Sequence, residues 1–230
     1  RTVSLVDESG YHMDNVHYSN STFANYPTQD GVGKQFTISG PQHTTKQSFI
    51  GNPSSIVFDG VDDYLDLGPS IGGLGNFTGA WSLSCWFNLE GHPFNTLAPL
   101  FTSHTGSVDT LETEVNSGNV LLFNGRHTNG TAYDVTSPII DNIRTGWHHV
   151  TFCNDKTNTK IIYDGRQVAS EAHNFTFRND SVPLVFGRYS GSYLTGYADE
   201  IEVVLGASIK SQINWTHTQT AGAGNKDAYN

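Results

Sequence analysis

The densest chemistry in the chain lies between Ser55 and Gly68, "SIVFDGVDDYLDLG", where Asp59, Asp62, Asp63 and Asp66 crowd around one turn. Carboxylates placed this way have two uses. They can ligate a hard cation, since calcium takes six to eight oxygens, usually from carboxylates and main-chain carbonyls. They can also bond nearby backbone amides as Asx turns, the plainer reading of Asp59-Gly60 and Asp62-Asp63. Asp59, Asp62 and Asp63 are the candidate metal ligands here, and Asp199 and Glu200 of "GYADEIE" are the acids that would join them. The spacing is not that of an EF-hand loop.

Other reactive arrangements are thinner. A retaining glycosidase needs two carboxylates roughly 5 Å apart, and Glu112 and Glu114 in "LETEV" come nearest by alternating onto one strand face. With no third acid and no aromatic platform beside them, they read as surface carboxylates. No G-x-S-x-G elbow supports a serine hydrolase. His148 and His149 point to opposite faces of a strand, so they do not share a zinc ion. Aromatic rings give the sugar-binding signal, because they stack on pyranose CH faces while polar neighbours take the hydroxyls. Trp81, Trp86, Phe87 and Trp147 sit in core-like strands and read as packing. Tyr189, Tyr193 and Tyr197, with Arg188, fall instead in the glycine-rich "GRYSGSYLTGY", and His104, Asp109, Arg126 and His127 lie in neighbouring loops. These tyrosines would serve equally well as covers for sheet edges.

The elements that must position these groups are strands. With 230 residues the chain is long enough for a sizeable core, and aromatics at 12%, 24 glycines and only 15% charged residues favour a turn-rich β protein. Strand-like runs recur at Gln35–Ser39, Ser55–Phe58, Tyr64–Leu67, Trp81–Leu89, Ala98–Ser103, Val120–Phe123, His148–Asn154, Lys160–Tyr163, Gln167–Ser170, Val182–Gly187 and Tyr197–Leu205. Asp164-Gly165 in "TKIIYDGRQVAS" is the dipeptide of a type I′ hairpin. Ser208 caps one short helical turn, "SIKSQINW". The expectation is an all-β fold, a two-sheet antiparallel jelly-roll sandwich in one domain over residues 1–217, with 218–230 as a flexible C-terminal tail.

Several segments in order resemble the concanavalin A-like, laminin G-like jelly-roll family, including its pentraxin-like members. "SIVFDGVDDYLDLG" is similar to the family's F-D-G-x-x-D-Y strand pair, and "GAWSLSCWFNLEG" to its core strand. "TGWHHVTFCNDKTNTKIIYDGRQV" resembles its W-H-H-V strand and Y-[VI]-D-G hairpin, and "VPLVFGRYSGSYLTGYADEIEVVLGASIKSQI" its terminal pattern. "VDESGYHMDN" resembles its opening segment. The resemblance implies the sandwich, and it raises the expectation of a calcium ion. It leaves function open, because this fold carries lectins, adhesion modules, hydrolases and structural parts.

The net charge of −10, with no basic run, argues against nucleic acid and against an anionic membrane surface as partners. No apolar run is long enough to span a bilayer. The opening "RTVSLVDESG" has neither Met nor an apolar leader and reads as a processed or excised segment. Six N-x-[ST] sequons, at Asn20, Asn76, Asn129, Asn174, Asn179 and Asn214, fit a secreted or surface glycoprotein. Cys85 and Cys153 are either buried free thiols or one cross-strand disulfide. The functional expectation is a non-catalytic extracellular recognition or adhesion module, on a cell or on a viral appendage. It would bind glycan or a surface protein, with calcium as its cofactor, and form a homo-oligomer or larger assembly. The alternative is a structural building block of an extracellular filament or coat.

Overall fold

The computed structural model describes residues 55–68, 74–75, 77–105, 108–127, 129–173, 176–177 and 182–205. For strands at 3–6, 13–19, 22–27, 35–39 and 42–44, and for 105, 108 and 109, it describes the backbone. Strands are numbered along the chain. One sheet runs β15 (Arg166–Glu171), β14 (Thr159–Tyr163), β13 (Trp147–Asn154), β8 (Trp81–Asn88), β19 (Thr195–Leu205), β6 (Ser55–Asp59) and β5 (Gln42–Thr44). To it β1 (Val3–Val6) adds in parallel alongside β19. The second sheet runs β12 (Ala132–Thr136), β11 (Leu121–Arg126), β10 (Val108–Val115), β9 (Ala98–Thr105), β16 (Val185–Phe186), β7 (Tyr64–Asp66), β4 (Gln35–Ser39), β3 (Thr22–Pro27) and β2 (Met13–Ser19). A separate hairpin joins β17 (Arg188–Tyr189) to β18 (Ser192–Tyr193).

Apart from β1, every pairing is antiparallel, and no helix occurs among the described residues. The expected sandwich is therefore present. The short helical turn after Ser208 and the 218–230 tail lie outside the described residues.

Side-chain alternation explains the layering. In β11, Leu121, Phe123 and Gly125 are buried while Leu122, Asn124 and Arg126 are half-buried, so alternate residues face the other sheet. Trp81 from the first sheet stacks on Phe123 from the second, with ring centroids 5.7 Å apart. Phe58 meets Phe186 at 5.6 Å in the same way. Each such ring removes well over 100 Å² from water, and truncating Phe123 to Ala would cost about 3–5 kcal/mol.

The cysteine alternative is decided by register. Val150 lies opposite Cys85 and Ser82 opposite Cys153, so the two thiols are offset by three residues along paired strands. An odd offset puts them on opposite faces, and roughly 10 Å of strand separates them. Both are free and buried. The disulfide expected as one alternative is thus corrected to two inert thiols. Burial pushes both pKa values up, that of Cys153 to about 12.

Asp164 (φ 46°) and Gly165 (φ 76°) both take the left-handed backbone of a type I′ turn between β14 and β15, as the dipeptide requires. His148 faces the core side beside Phe87, and His149 faces the opposite side beside Trp86, so the two imidazoles diverge.

Candidate functional site

The second sheet presents its outer face beneath the β17–β18 hairpin. Gly187, at φ 89°, reverses the chain after β16. A Cβ there would come within 2.9 Å of Phe58, so only glycine lets the hairpin fold back. Leu194 N–H closes the hairpin base by donating to Gly187 O at 2.8 Å, and the Thr102 hydroxyl donates to Arg188 O. Two pairs of side chains result. The Arg188 guanidinium lies 3.8 Å above the Tyr64 ring, a cation–π contact. Tyr189 packs edge-on against His104 at 5.3 Å. Tyr193 lies opposite Arg188 across the hairpin.

Register places further groups on the same face. Thr102, Glu112, Asn124 and Asp134 fall side by side across β9, β10, β11 and β12. Arg126, which donates to Gly130 O at 3.3 Å, follows Asn124 by two residues and so shares its face. Asp109 lies opposite His104 in the ladder. His127 follows at the strand end, where Asn129 N–H donates to its ring. Of the residues read as ligand-binding, His104, Arg126, Arg188, Tyr189 and Tyr193 are brought to this face and its hairpin. Tyr197 is not. It sits on the outer face of the other sheet, 6.5 Å from Trp147, because it belongs to β19 rather than to the loop.

Sequence reasoning misjudged Glu112 and Glu114. They do share a face, but Glu114 is only 5% exposed, so it is no surface carboxylate. The neighbouring strand β9 carries a bulge beside them. Glu112 pairs with Thr102 but Glu114 with Pro99, and the Thr113 hydroxyl fills the gap by bonding Phe101 N–H and O at 2.8 and 3.1 Å. A bulge bends and twists its strand. Here the two carboxyls meet and hydrogen-bond each other. Burial first, then that hydrogen bond and the Glu112 charge, raise the Glu114 pKa to about 8. Its Oε2 is buried with no hydrogen-bond partner.

The acidic turn forms a second cluster. Ligand oxygens of Asp59, Asp62 and Asp63 lie within 4.8 Å of one another. The Asx bonding is also present, as Val61 N–H donates to Asp59 Oδ1 at 2.7 Å and Asp59 N–H to Asp63 Oδ2 at 2.8 Å. Burial, opposed by that amide bond and helped by the charges of Asp59 and Asp62, raises the Asp63 pKa. The oxygens not bonded to those amides leave a donor set that fits a hard cation. Asp199 and Glu200 do not join it. Thr195 is the cross-strand partner of Asp59, and Asp199 lies four residues further along β19, roughly 13 Å away. There Asp199 accepts from Glu200 N–H in a bulge where Glu200 adopts φ 48°.

Elsewhere the loops at 93–96 and 116–119 are braced together. The buried Arg144 donates to Asn119 Oδ1, Pro93 O, Thr96 O and Asn116 O, at 2.7 to 3.3 Å. Among the sequons, Asn129 stands on an exposed turn with its Oδ1 accepting from Thr131 N–H at 2.9 Å. Asn20, Asn76, Asn174, Asn179 and Asn214 lie outside the described residues. No helix among the described residues is long and apolar enough to cross a membrane.

Known proteins share this architecture. The profile of a laminin G family, described as the concanavalin A-like lectin/glucanases superfamily, matches residues 59–214. Among solved structures, the binding domain of Paraclostridial Mosquitocidal Protein 1 superposes with a TM-score of 0.63 at 10% identity, over 91% of this chain and 52% of that one. This chain thus spans about half of that domain's length. Domain 4 of AbnA, a GH43 extracellular arabinanase from Geobacillus stearothermophilus, in complex with arabinotriose, superposes at 0.59 with 16% identity, over 84% and 92%. The botulinum neurotoxin serotype G binding domain superposes at 0.51 with 13% identity, over 77% and 45%. At these identities the superpositions speak for the fold. No curated protein matches the sequence.

Proposed function

The chain belongs to the concanavalin A-like lectin/glucanases superfamily, and from that premise we propose that it is a non-catalytic, extracellular recognition module that binds a neutral or amine-bearing glycan on the outer face of its second sheet. The observation that carries this reading is the hairpin laid over β9. It sets Tyr189 against His104 and Arg188 against Tyr64, beside the polar pair Glu112 and Asn124. Aromatic edges with hydroxyl, amide and carboxyl groups alongside are the composition that sugar sites use. A formal charge of −10 disfavours acidic glycans. The binding domains and the arabinotriose-bound domain that share the fold point the same way.

Calcium is proposed at Asp59, Asp62 and Asp63, where it would neutralise the carboxylates and hold the turn that precedes Tyr64.

Binding to a panel of neutral and amino oligosaccharides tests the proposal. Tyr189→Ala should weaken any glycan found by about tenfold, the value of one aromatic contact of about 1.4 kcal/mol. Binding that is unchanged in Tyr189→Ala would move the site elsewhere, and hydrolysis of any panel member would make the domain an enzyme.

A further inference from the structure

Three apolar side chains at one end of the sandwich are turned to solvent, and the glycan site uses none of them. Among the described residues, Val61, Phe94 and Ile139 are the large apolar side chains left exposed, at 70%, 75% and 69%. Single exposed apolar residues are ordinary, but these three are not scattered. Register puts their loops at one end of the first sheet. Asp59, at the close of β6, pairs with Thr195, and Tyr197 pairs with Asn88 at the close of β8. Asn88 in turn pairs with Trp147 at the opening of β13. The turn carrying Val61 and the loops carrying Phe94 and Ile139 therefore leave the sheet side by side, across roughly 15 Å of its end.

The tips are held outward. Val61 N–H donates to Asp59 Oδ1 at 2.7 Å. His92, at the base of the Phe94 loop, accepts from Thr195 N–H at 3.1 Å through Nδ1, and its Nε2 lies 3.0 Å from Leu97 O. Arg144, on the Ile139 loop, donates to Pro93 O and Thr96 O on either side of Phe94. Ile140 N–H donates to Asn119 O at 3.0 Å. Pro93 and Pro138, both exposed, stiffen the backbone just before Phe94 and Ile139. With the backbone fixed on both sides, neither side chain can turn inward without breaking these bonds.

The charges around them narrow the partner. The exposed charged side chains of the three loops are Asp59, Asp62, Glu90 and Asp141, all acidic. Their only lysine or arginine is Arg144, which is buried in its bonds to the backbone and Asn119. An acidic rim repels anionic lipid, and it repels the same rim of a second copy. A protein partner would need a fitted apolar pocket for each of three separate tips. The fluid headgroup layer of a bilayer closes around isolated side chains wherever they stand.

We propose that this rim is a peripheral membrane-contact surface, where Val61, Phe94 and Ile139 dip into the headgroup layer of a net-neutral, phosphatidylcholine bilayer. The contact is shallow and reversible, since three side chains without a basic patch give no lasting anchor. It is separate from the glycan site, which lies on the outer face of the second sheet.

Flotation of the whole chain with phosphatidylcholine vesicles tests it, in EDTA so that the outcome does not depend on calcium. The expected result is co-flotation that survives high salt, because an apolar contact is not screened. Phe94→Ser should lower the partition coefficient about tenfold, and Ile139→Ser and Val61→Ser by less. Phe94→Trp should keep the binding. All three positions are exposed, so the variants should melt as wild type does. Absence of flotation at about 1 mM lipid would overturn the proposal, and so would flotation that is unchanged when Phe94→Ser and Ile139→Ser are combined. Preference for vesicles containing phosphatidylserine would overturn the net-neutral assignment. A lipid-independent dimer that Phe94→Ser dissolves, without flotation, would overturn the lipid assignment and give the rim to a second copy.

Discussion

Replacing Glu114 by Gln should flatten the pH dependence of stability, and the size of the effect follows from where the carboxyl sits. In the fold its pKa is about 8, against an ordinary 4.5 in an unfolded chain. A raised folded pKa means that the native state holds a proton the unfolded state releases. The associated stability is therefore complete below about pH 4.5 and is lost progressively as pH rises to about 8. Over that window of about 3.5 units, at 1.36 kcal/mol per unit, the ceiling is about 5 kcal/mol. Glu112 is only half-buried, so water screens the pair, and about half of that ceiling, ~2.5 kcal/mol, is the expected loss. His149 works in the opposite direction. Burial lowers its pKa to about 4, so its contribution fades as pH falls from 6.5. The informative quantity is consequently the difference between wild type and Glu114→Gln in urea-unfolding free energy, measured from about pH 5 to about pH 8.5 at fixed salt. That difference should shrink by ~2.5 kcal/mol across the range. Parallel curves would refute the reasoning, and so would a Glu114 side chain that titrates near 4.5 by carboxyl NMR.

Arg144→Met should destabilise the fold by about 3 kcal/mol, because it strands the acceptors of Pro93, Thr96, Asn116 and Asn119; amide exchange across residues 92–97 should quicken, and unaltered exchange would count against the brace. His148 offers Nδ1 to Asp164 Oδ2 at 2.9 Å and Nε2 to Asn142 O and Thr145 O, so both ring nitrogens face acceptors. Burial opposes its charge, but these partners prevail and raise its pKa. Its stabilisation should be complete below about pH 6.5 and lost as pH climbs through the folded value, and Asp164→Asn should bring the NMR titration midpoint below that of wild type. If calcium binds at the acidic turn, saturation at 100 times Kd should add about 2.7 kcal/mol and raise Tm by roughly 5–10 °C. EDTA and Asp62→Asn should each remove that gain, and a melting curve indifferent to calcium would dismiss the ion.

Much of the fold was legible because period-two alternation is a local property. Ser55–Phe58, Trp81–Leu89 and Tyr197–Leu205 become β6, β8 and β19 within a residue or two at their starts. Strands such as β12 in "AYDVT" went unread, since only Val135 of its residues is buried and an edge strand carries little apolar signal. The site was half legible. Residue types flagged the glycine-framed tyrosines, and glycine at 187 is what folds them over the sheet. Tyr197 looked identical in the sequence, yet it sits in the central β19.

Local pattern, then, determined strands, turns and the inward-facing aromatics, because each depends on neighbours a few positions away. Tertiary structure decided what those neighbours could not. Register separated Cys85 from Cys153 and Asp199 from Asp59. A one-residue bulge in β9, opposite Thr113, shifts the register beside Glu112 and Glu114, which share one face of β10, and the surrounding structure buries Glu114. Pairing register and long-range burial are properties of strands far apart in the chain, and the shifted acidity of Glu114 follows from both.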